Sequence, residues 1–388
     1  MPMKCDVLVV GASAAGMMAA ISAARCGSGV ILLDRNPWGV EHSANTFFKG
    51  MASQTGFQVD DCYIKRSLRG MRIISPSGYC ATIPVEGYFI DRRRFDDHYL
   101  NIAEKEGVTI LEGQASGILI RSGNALVSTG QEDIESKVTI DASGVQPSLA
   151  RQVGLSPIRH PKDIAWAMEA TVQHPGLGEE DFFEYWIGSM APGWKATFSP
   201  AGEDLATLGV FVRGHGMDVS PFFQNFLGRF KTYKAEAYRK IEQMKVLSIK
   251  QGGDPIAVLP GEIVSDSFMV TGGSAGQSGL IYGMRAGSIC GTVAGESVSA
   301  GEVSKASLSR YERLWRSEFG RIYRLGRASL ETLRNMSDRD IDELVRGISG
   351  KELILRGSLC RKALDAGIKT TRVQPKAVLD LVINIAKG

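Results

Sequence analysis

The tightest constraint on this chain is the stretch from Cys5 to Arg35, "CDVLVVGASAAGMMAAISAARCGSGVILLDR". Val7–Val10 is a β-rich run, Ala14–Arg25 is rich in Ala and Met at helical spacing, and Val30–Leu33 is a second strand closed by Asp34. Strand, glycine turn, helix and strand at this spacing make a βαβ unit, which requires a parallel sheet and a right-handed crossover. The turn "GASAAG" sets Gly11, Ser13 and Gly16 in a G-x-[G/S]-x-x-G frame. Gly11 permits a tight turn, a small residue at Ser13 lets backbone approach a pyrophosphate, and Gly16 lets helix pack close on strand. Ala14 and Ala15 open the helix whose N-terminus would seat the phosphates. Asp34, followed by Arg35, stands where a carboxylate accepts hydrogen bonds from a ribose. A glycine turn in another α/β fold is the competing reading, and Ser13 in place of glycine favours it.

The chain has 388 residues, 44% of them hydrophobic, which suffices for one large core or two joined ones. A net charge of +3 gives no global reason to expect nucleic acid. The charge is uneven, with 18 basic against 10 acidic residues over 305–388. Such a segment suits an anionic membrane or substrate, or it is simply a set of solvated helix faces. The six cysteines show no metal-ligand spacing with one another or with a histidine, so neither a metal site nor a disulfide framework is expected. Residues 7–24 are apolar enough to imitate a signal peptide or membrane span, but their glycine spacing, valine-rich start and the near absence of a basic flank argue against both. A cytoplasmic protein, soluble or peripheral at a membrane, is the expectation.

Further along, residues 70–90 read as hairpins, 91–107 as a helix, 117–129 as a hairpin, and "KVTIDASG" (137–144) as a strand returning to the first sheet. Residues 160–255 alternate strand-like runs with one helix near 221–243, and "DSFMVTGG" returns once more. The fold class is therefore α/β: a Rossmann-type nucleotide domain split between 1–155 and 256–304, an inserted antiparallel α+β substrate domain over 156–255, and a helical region over 305–388.

One N-terminal dinucleotide motif, "GYFIDRRRFDDHYLNIAEKEG", "KVTIDASGVQPSLARQVGL", "QGGDPIAVLPGEIVSDSFMVTGGSAG" and the helical "SLSRYERLWRSEFGRIYRLGRASLETLRNMSDRDIDEL" follow in that order. In these segments the chain resembles the geranylgeranyl reductase family, FAD-dependent enzymes that saturate isoprenoid double bonds. The resemblance implies FAD, with Gly11, Ser13, Gly16 and Asp34 at its ADP half, and Arg92 at the pyrophosphate or ribityl chain. It implies backbone contacts from Ala115 to adenine, and a place for Gly144 at the cofactor. Gly276, Gln277, Ser278 and Gly279 would lie under the flavin ring, with the helix from Leu280 aimed at its N1/O2 edge. Helix-terminal N–H groups there would stabilise the charge of a reduced flavin.

The sequence departs from the family pattern in several places. Gly273 replaces the Asp that would bond a ribityl hydroxyl, and the loop before the helix is shorter. The residues after the second strand hold no family-type Cys, and a Tyr-x-Trp-x-Phe-Pro tunnel segment survives only as Trp194, Phe198 and Pro200. His42 is either a proton donor or a surface histidine, and Phe47 and Phe48 line a tunnel or pack the core. His98 reads as structural and Cys62 as buried and inert. The leading function is reduction of polyprenyl double bonds, with NAD(P)H or a ferredoxin-like protein as donor. A flavin monooxygenase or other FAD dehydrogenase of the same fold is the second reading, and a lipid-binding protein that has lost its flavin the third.

Overall fold

The computed structural model describes residues 2–349, except 40–43, 122, 131, 257 and 278. The chain opens with β1 (Met3–Val10), α1 (Ala14–Arg25) and β2 (Val30–Asp34), the βαβ unit read from sequence. It then crosses to a second layer through β3 (Thr46–Phe48), α2 (Lys49–Thr55), β4 (Ile64–Ile74) and β5 (Cys80–Ile90). It returns with α3 (Arg92–Lys105), β6 (Thr109–Glu112), the β7 (Gly117–Arg121) and β8 (Asn124–Ser128) hairpin, β9 (Ile134–Asp141) and α4 (Ser148–Gln152). A second excursion adds β10 (Ile164–Gln173), β11 (Phe182–Trp186), β12 (Lys195–Pro200), β13 (Leu205–Arg213), α5 (Ser220–Lys234) and β14 (Lys245–Pro255). The last segments are β15 (Val264–Ser265), β16 (Phe268–Val270), α6 (Leu280–Ser299), α7 (Lys305–Leu308), α8 (Arg310–Arg334) and α9 (Asp338–Ile348).

The first sheet runs β15-β16-β9-β1-β2-β6, with β7 and β8 beside β9. Its strands β16, β9, β1, β2 and β6 are mutually parallel, so their ends near Val10, Asp34, Asp141 and Val270 share one edge. A crevice outside that edge is where open α/β sheets bind ligands. Val7, Leu8 and Val9 are fully buried because α1 and α6 cover this sheet.

The second sheet runs β14-β10-β13-β12-β11-β4-β5-β3. It is antiparallel apart from the β4–β11 pair. Strands β3, β4 and β5 belong to it, which corrects the assignment of the 70–90 hairpin to the nucleotide layer. The local pattern of a hairpin shows that its two strands pair, but not which sheet its outer edge joins. Here β4 bonds β11, more than a hundred residues later in the chain. Period-two alternation gives this sheet two different faces. Met168, Ala170, Val172, Phe198, Leu208 and Val210 point to α5 and pack on its Phe223, Phe226 and Phe230. The opposite face carries Glu169, Thr171, Lys195, Thr197, Ser199 and Asp254 and looks toward the first layer.

Candidate functional site

The glycine turn is built as the sequence suggests. Gly11 sits at φ +106°, and a Cβ there would lie 2.5 Å from the Ala142 carbonyl oxygen. At Gly16 a Cβ would fall on the Gly11 carbonyl oxygen. Ser13 caps α1: its Oγ accepts from Gly16 N–H at 3.2 Å and donates to Ala142 O at 3.2 Å. The first intrahelical bond is Met17 N–H to Ser13 O, so the N–H groups of Ala14 and Ala15 lie ahead of it. Ser13 therefore acts as the helix cap as well as a small residue.

Asp34, at the end of β2, accepts from Ala12 N–H at 2.8 Å and from Asn36 N–H at 2.9 Å. Each carboxylate oxygen keeps a second acceptor direction. Arg35 beside it is exposed, and Ala115, in the loop after β6, is half-buried. Arg92 opens α3; its Nε bonds both Asp96 oxygens at 3.0 and 3.2 Å, and its Nη1 reaches Ala44 O at 3.2 Å.

The third wall comes from the β9 and β16 ends. Asp141 is fully buried and accepts from Ser143 N–H, Ser143 Oγ, Ser274 Oγ and Ala150 N–H. Ser274 Oγ in turn accepts from Gly144 N–H at 2.8 Å. This ties the 142–145 loop to the 3-10 turn Gly272–Ala275. A Cβ added to Gly144, at φ +105°, would project into open space. One added to Gly273 would be 3.5 Å from Gly144 Cα, an ordinary contact, and Gly273 is not left-handed. The left-handed residue is Gly272, at φ +63°.

Gly276 is left-handed and closes on Val258. Gln277 turns inward: its Oε1 accepts from Gly272 N–H at 2.8 Å and its Nε2 donates to Tyr311 Oη at 2.8 Å. Its side chain thus braces the turn from behind. Gly279 is exposed at φ +89°, and the buried Leu280 begins α6. His42 and Ser278 lie outside the described residues.

These parts fit FAD: a helix N-terminus sealed by glycines, a fixed carboxylate at the ribose position, and a backbone-only wall at Gly144 and Gly273. Gly11, Ser13, Ala14, Ala15, Gly16 and Asp34 would hold its ADP half, and the 272–280 turn its flavin half.

Across from this seat, a cavity of about 240 Å³ is lined by Arg92, Asp91, Phe89, Asn45, Glu169, Thr171, Thr207 and Lys250. Farther along the same sheet face, Lys195 Nζ lies 4.6 Å from the Tyr185 ring centroid, 4.9 Å from Phe211 and 5.2 Å from Trp194. Burial pulls the Lys195 ammonium below its ordinary range, against the pull of Asp254 and Glu169. Burial pushes the Asp254 carboxyl up to about 6, although Lys195 draws it down. Glu169 is raised by burial as well, with Lys250, Lys195 and Arg92 opposing.

The expected tunnel residues separate. Phe198 packs on Phe230 in the α5-side core, with centroids 5.2 Å apart, so it cannot share a wall with Trp194. Alternation along β12 puts Lys195 and Thr197 on the inner face and Phe198 on the outer. Pro200 is buried at the end of β12. Trp194 lines a cavity of about 710 Å³ with Ile187, Leu333, Met336, Ile341, Arg213 and Glu331. Phe47 is core, between Phe57 and Tyr88, whereas the half-buried Phe48 meets Phe183 edge-on. Glu169, Tyr185, Lys195 and Asp254 were not among the residues expected from sequence. For Glu169 and Lys195 the signal was a polar residue at every second position in the second half of β10 and along β12.

Residues 6–156 match the family model for FAD-dependent oxidoreductases. Over 400 aligned positions the chain is 30% identical to digeranylgeranylglycerophospholipid reductase 1 of Methanothermobacter thermautotrophicus, covering 97% of this chain and 98% of that one. Reductase 2 of the same organism is 28% identical, over 90% of this chain and 93% of its own length. A solved geranylgeranyl bacteriochlorophyll reductase-like protein from Thermoplasma acidophilum superposes with a TM-score of 0.86 at 21% identity, over 98% of this chain and 99% of that one. The flavin-dependent brominase Bmp2 shares the fold at a TM-score of 0.66 and 18% identity, over 99% of each chain.

Proposed function

The chain belongs to the geranylgeranyl reductase family of FAD-dependent oxidoreductases, and from that premise we propose that it hydrogenates carbon–carbon double bonds of a polyprenyl lipid. The observation that carries the reading is the full-length match to a digeranylgeranylglycerophospholipid reductase. The two-layer geometry supports it. FAD, when bound, supplies the hydride for one alkene carbon. The chain's own residues must hold the alkene, exclude water and provide a proton for the other carbon.

Lys195 and Asp254 are the protonable groups we assign to that last task. Each senses the other's charge, and both stand on the sheet face turned toward the first layer. Burial keeps Asp254 protonated to higher pH and brings the Lys195 ammonium closer to releasing a proton. Tyr185, Phe211 and Trp194 around Lys195 give an apolar, electron-rich wall against which an alkene can lie. We assign the prenyl chain to the 710 Å³ cavity, whose Ile187, Trp194, Leu333, Met336 and Ile341 are apolar.

Among the described residues no helix is long and apolar enough to cross a membrane. The lipid would be met at a membrane surface by the basic segment 305–388, so vesicle binding should rise with anionic lipid and fall with salt. Electrons would come from NAD(P)H bound transiently or from a ferredoxin-like protein.

The test is turnover of digeranylgeranylglycerophospholipid by the FAD-loaded protein under a chemical reductant, read by mass spectrometry. The product should gain one hydrogen pair per double bond. Oxygen consumption coupled to an oxygenated product would instead favour monooxygenation.

A further inference from the structure

Three side chains that play no part in the reductase site meet where the chain enters the second layer. Asp60 caps the 3-10 turn Asp61–Tyr63 that leads into β4, and Cys62 is the middle residue of that turn. His98 comes from the second turn of α3, 36 residues later. One ligand atom from each of Asp60, Cys62 and His98 lies within 4.8 Å of the other two. Cys62 is exposed rather than buried and inert, and the absence of Cys–His spacing in the sequence did not exclude this meeting, because folding supplies it.

The arrangement is held in place by bonds that leave the ligand atoms facing one another. Asp60 caps the turn by accepting from Cys62 N–H at 2.8 Å, and Asp60 N–H donates to Tyr63 Oη at 2.9 Å. The His98 ring is fixed edge-on against Tyr63 and Tyr99, with centroids 5.6 and 5.1 Å apart. Cys62 Sγ is 3.4 Å from His98 Nδ1. Two ligands at zinc–sulfur and zinc–nitrogen distances of about 2.3 and 2.0 Å, at a tetrahedral angle, stand about 3.5 Å apart. Thiolate, imidazole and carboxylate are also the donor set that zinc-class cations prefer over magnesium or calcium.

We propose that Asp60, Cys62 and His98 form a three-ligand surface site for a zinc-class divalent cation, its fourth position taken by water. Binding releases the Cys62 thiol proton to solvent and forms one metal–sulfur, one metal–nitrogen and one metal–oxygen bond, with no change of oxidation state. The cation would pin the entry to β4 onto α3, the helix whose first residue is Arg92.

The FAD-loaded full chain, stripped of metal by chelator, is titrated with Co²⁺ and followed by its d–d bands in the red, clear of flavin absorption. One equivalent should bind with tetrahedral intensity, and Zn²⁺ should displace it. Cys62→Ser and His98→Gln should abolish the band, and Asp60→Asn should weaken binding about tenfold or more. In the wild-type protein, Zn²⁺ should slow alkylation of Cys62 at least tenfold, mapped by peptide mass, a readout that needs no variant to fold. No saturable band, a band that survives both Cys62→Ser and His98→Gln, or alkylation of Cys62 unchanged by Zn²⁺ overturns the site.

Discussion

Replacing Gly291 by alanine tests how the cofactor seat is assembled. Helices α1 and α6 supply the two helix N-termini proposed to face the cofactor, and they touch backbone to backbone. A Cβ at Gly291 would stand 2.0 Å from the Ala19 carbonyl oxygen, 2.7 Å from its carbon and 2.8 Å from Ala19 Cα. One turn earlier, Gly287 meets Ala15 O in the same way. None of these atoms can rotate aside, so the helices must part by roughly 1 Å to regain a carbon–oxygen contact near 3.3 Å. Overpacking of this kind costs about 3 kcal/mol, the upper end of its usual range. The alanine returns about 1 kcal/mol of helix propensity. A net loss of about 2 kcal/mol is expected, with weaker FAD binding because both helix ends shift. Gly320, inside α8, is the control: a Cβ there meets nothing within 4 Å, so Gly320→Ala should stabilise by up to about 1 kcal/mol. Urea unfolding of both variants with and without FAD reads the difference. If Gly291→Ala is as stable as Gly320→Ala and binds FAD normally, the two helices are not in contact and the seat is built differently.

Gly273→Asp should tighten FAD by about 1–3 kcal/mol, because the position is not left-handed and a Cβ fits, and flavin fluorescence titration checks it. Gly11→Val should yield apoprotein and also lower the unfolding midpoint, since its side chain strikes Ala142 before any ligand; full FAD occupancy would contradict this. Lys234→Met should destabilise by about 3–5 kcal/mol in urea unfolding, because Lys234 Nζ holds the fully buried Glu184 and the half-buried Glu180 at 2.7 Å each. Asp254 holds its proton to about pH 6 in the folded chain against 3.8 in its absence, so its contribution to stability is lost as pH rises between about 4 and 6. Asp254→Asn should flatten that slope, and should also remove a fall in single-turnover rate as pH rises through about 6.

Much of the nucleotide layer was legible because it is local. Gly11, Ser13, Gly16 and Asp34 lie within one βαβ unit of about thirty residues, so their spacing alone marks the turn and the carboxylate. The second layer was less so. Hairpin 64–90 joined it through β11, a pairing set by tertiary contact. Phe198 was placed at the tunnel by motif register, yet strand alternation turns it to the α5 core, leaving Lys195 and Thr197 inside. Asp141 and Ser274 stand within two separate motifs, and their bond across 133 residues, which joins the two loops, cannot be seen from either segment alone. Gln277 looked like flavin floor, while its buried partner Tyr311 lies on α8, in a region read only as helical. Cys62 reads from sequence as buried and inert and His98 as structural, whereas the fold leaves Cys62 exposed and brings it 3.4 Å from His98.

The central claim is that FAD held between these layers reduces prenyl double bonds. Its most direct test is an anaerobic single turnover: the protein-bound flavin is reduced, freed of excess reductant, and mixed with digeranylgeranylglycerophospholipid or with its fully saturated counterpart. The account predicts flavin reoxidation with the unsaturated lipid alone, one double bond lost per flavin reoxidised. Equal reoxidation rates with both lipids, or none with either while FAD remains bound, would contradict it.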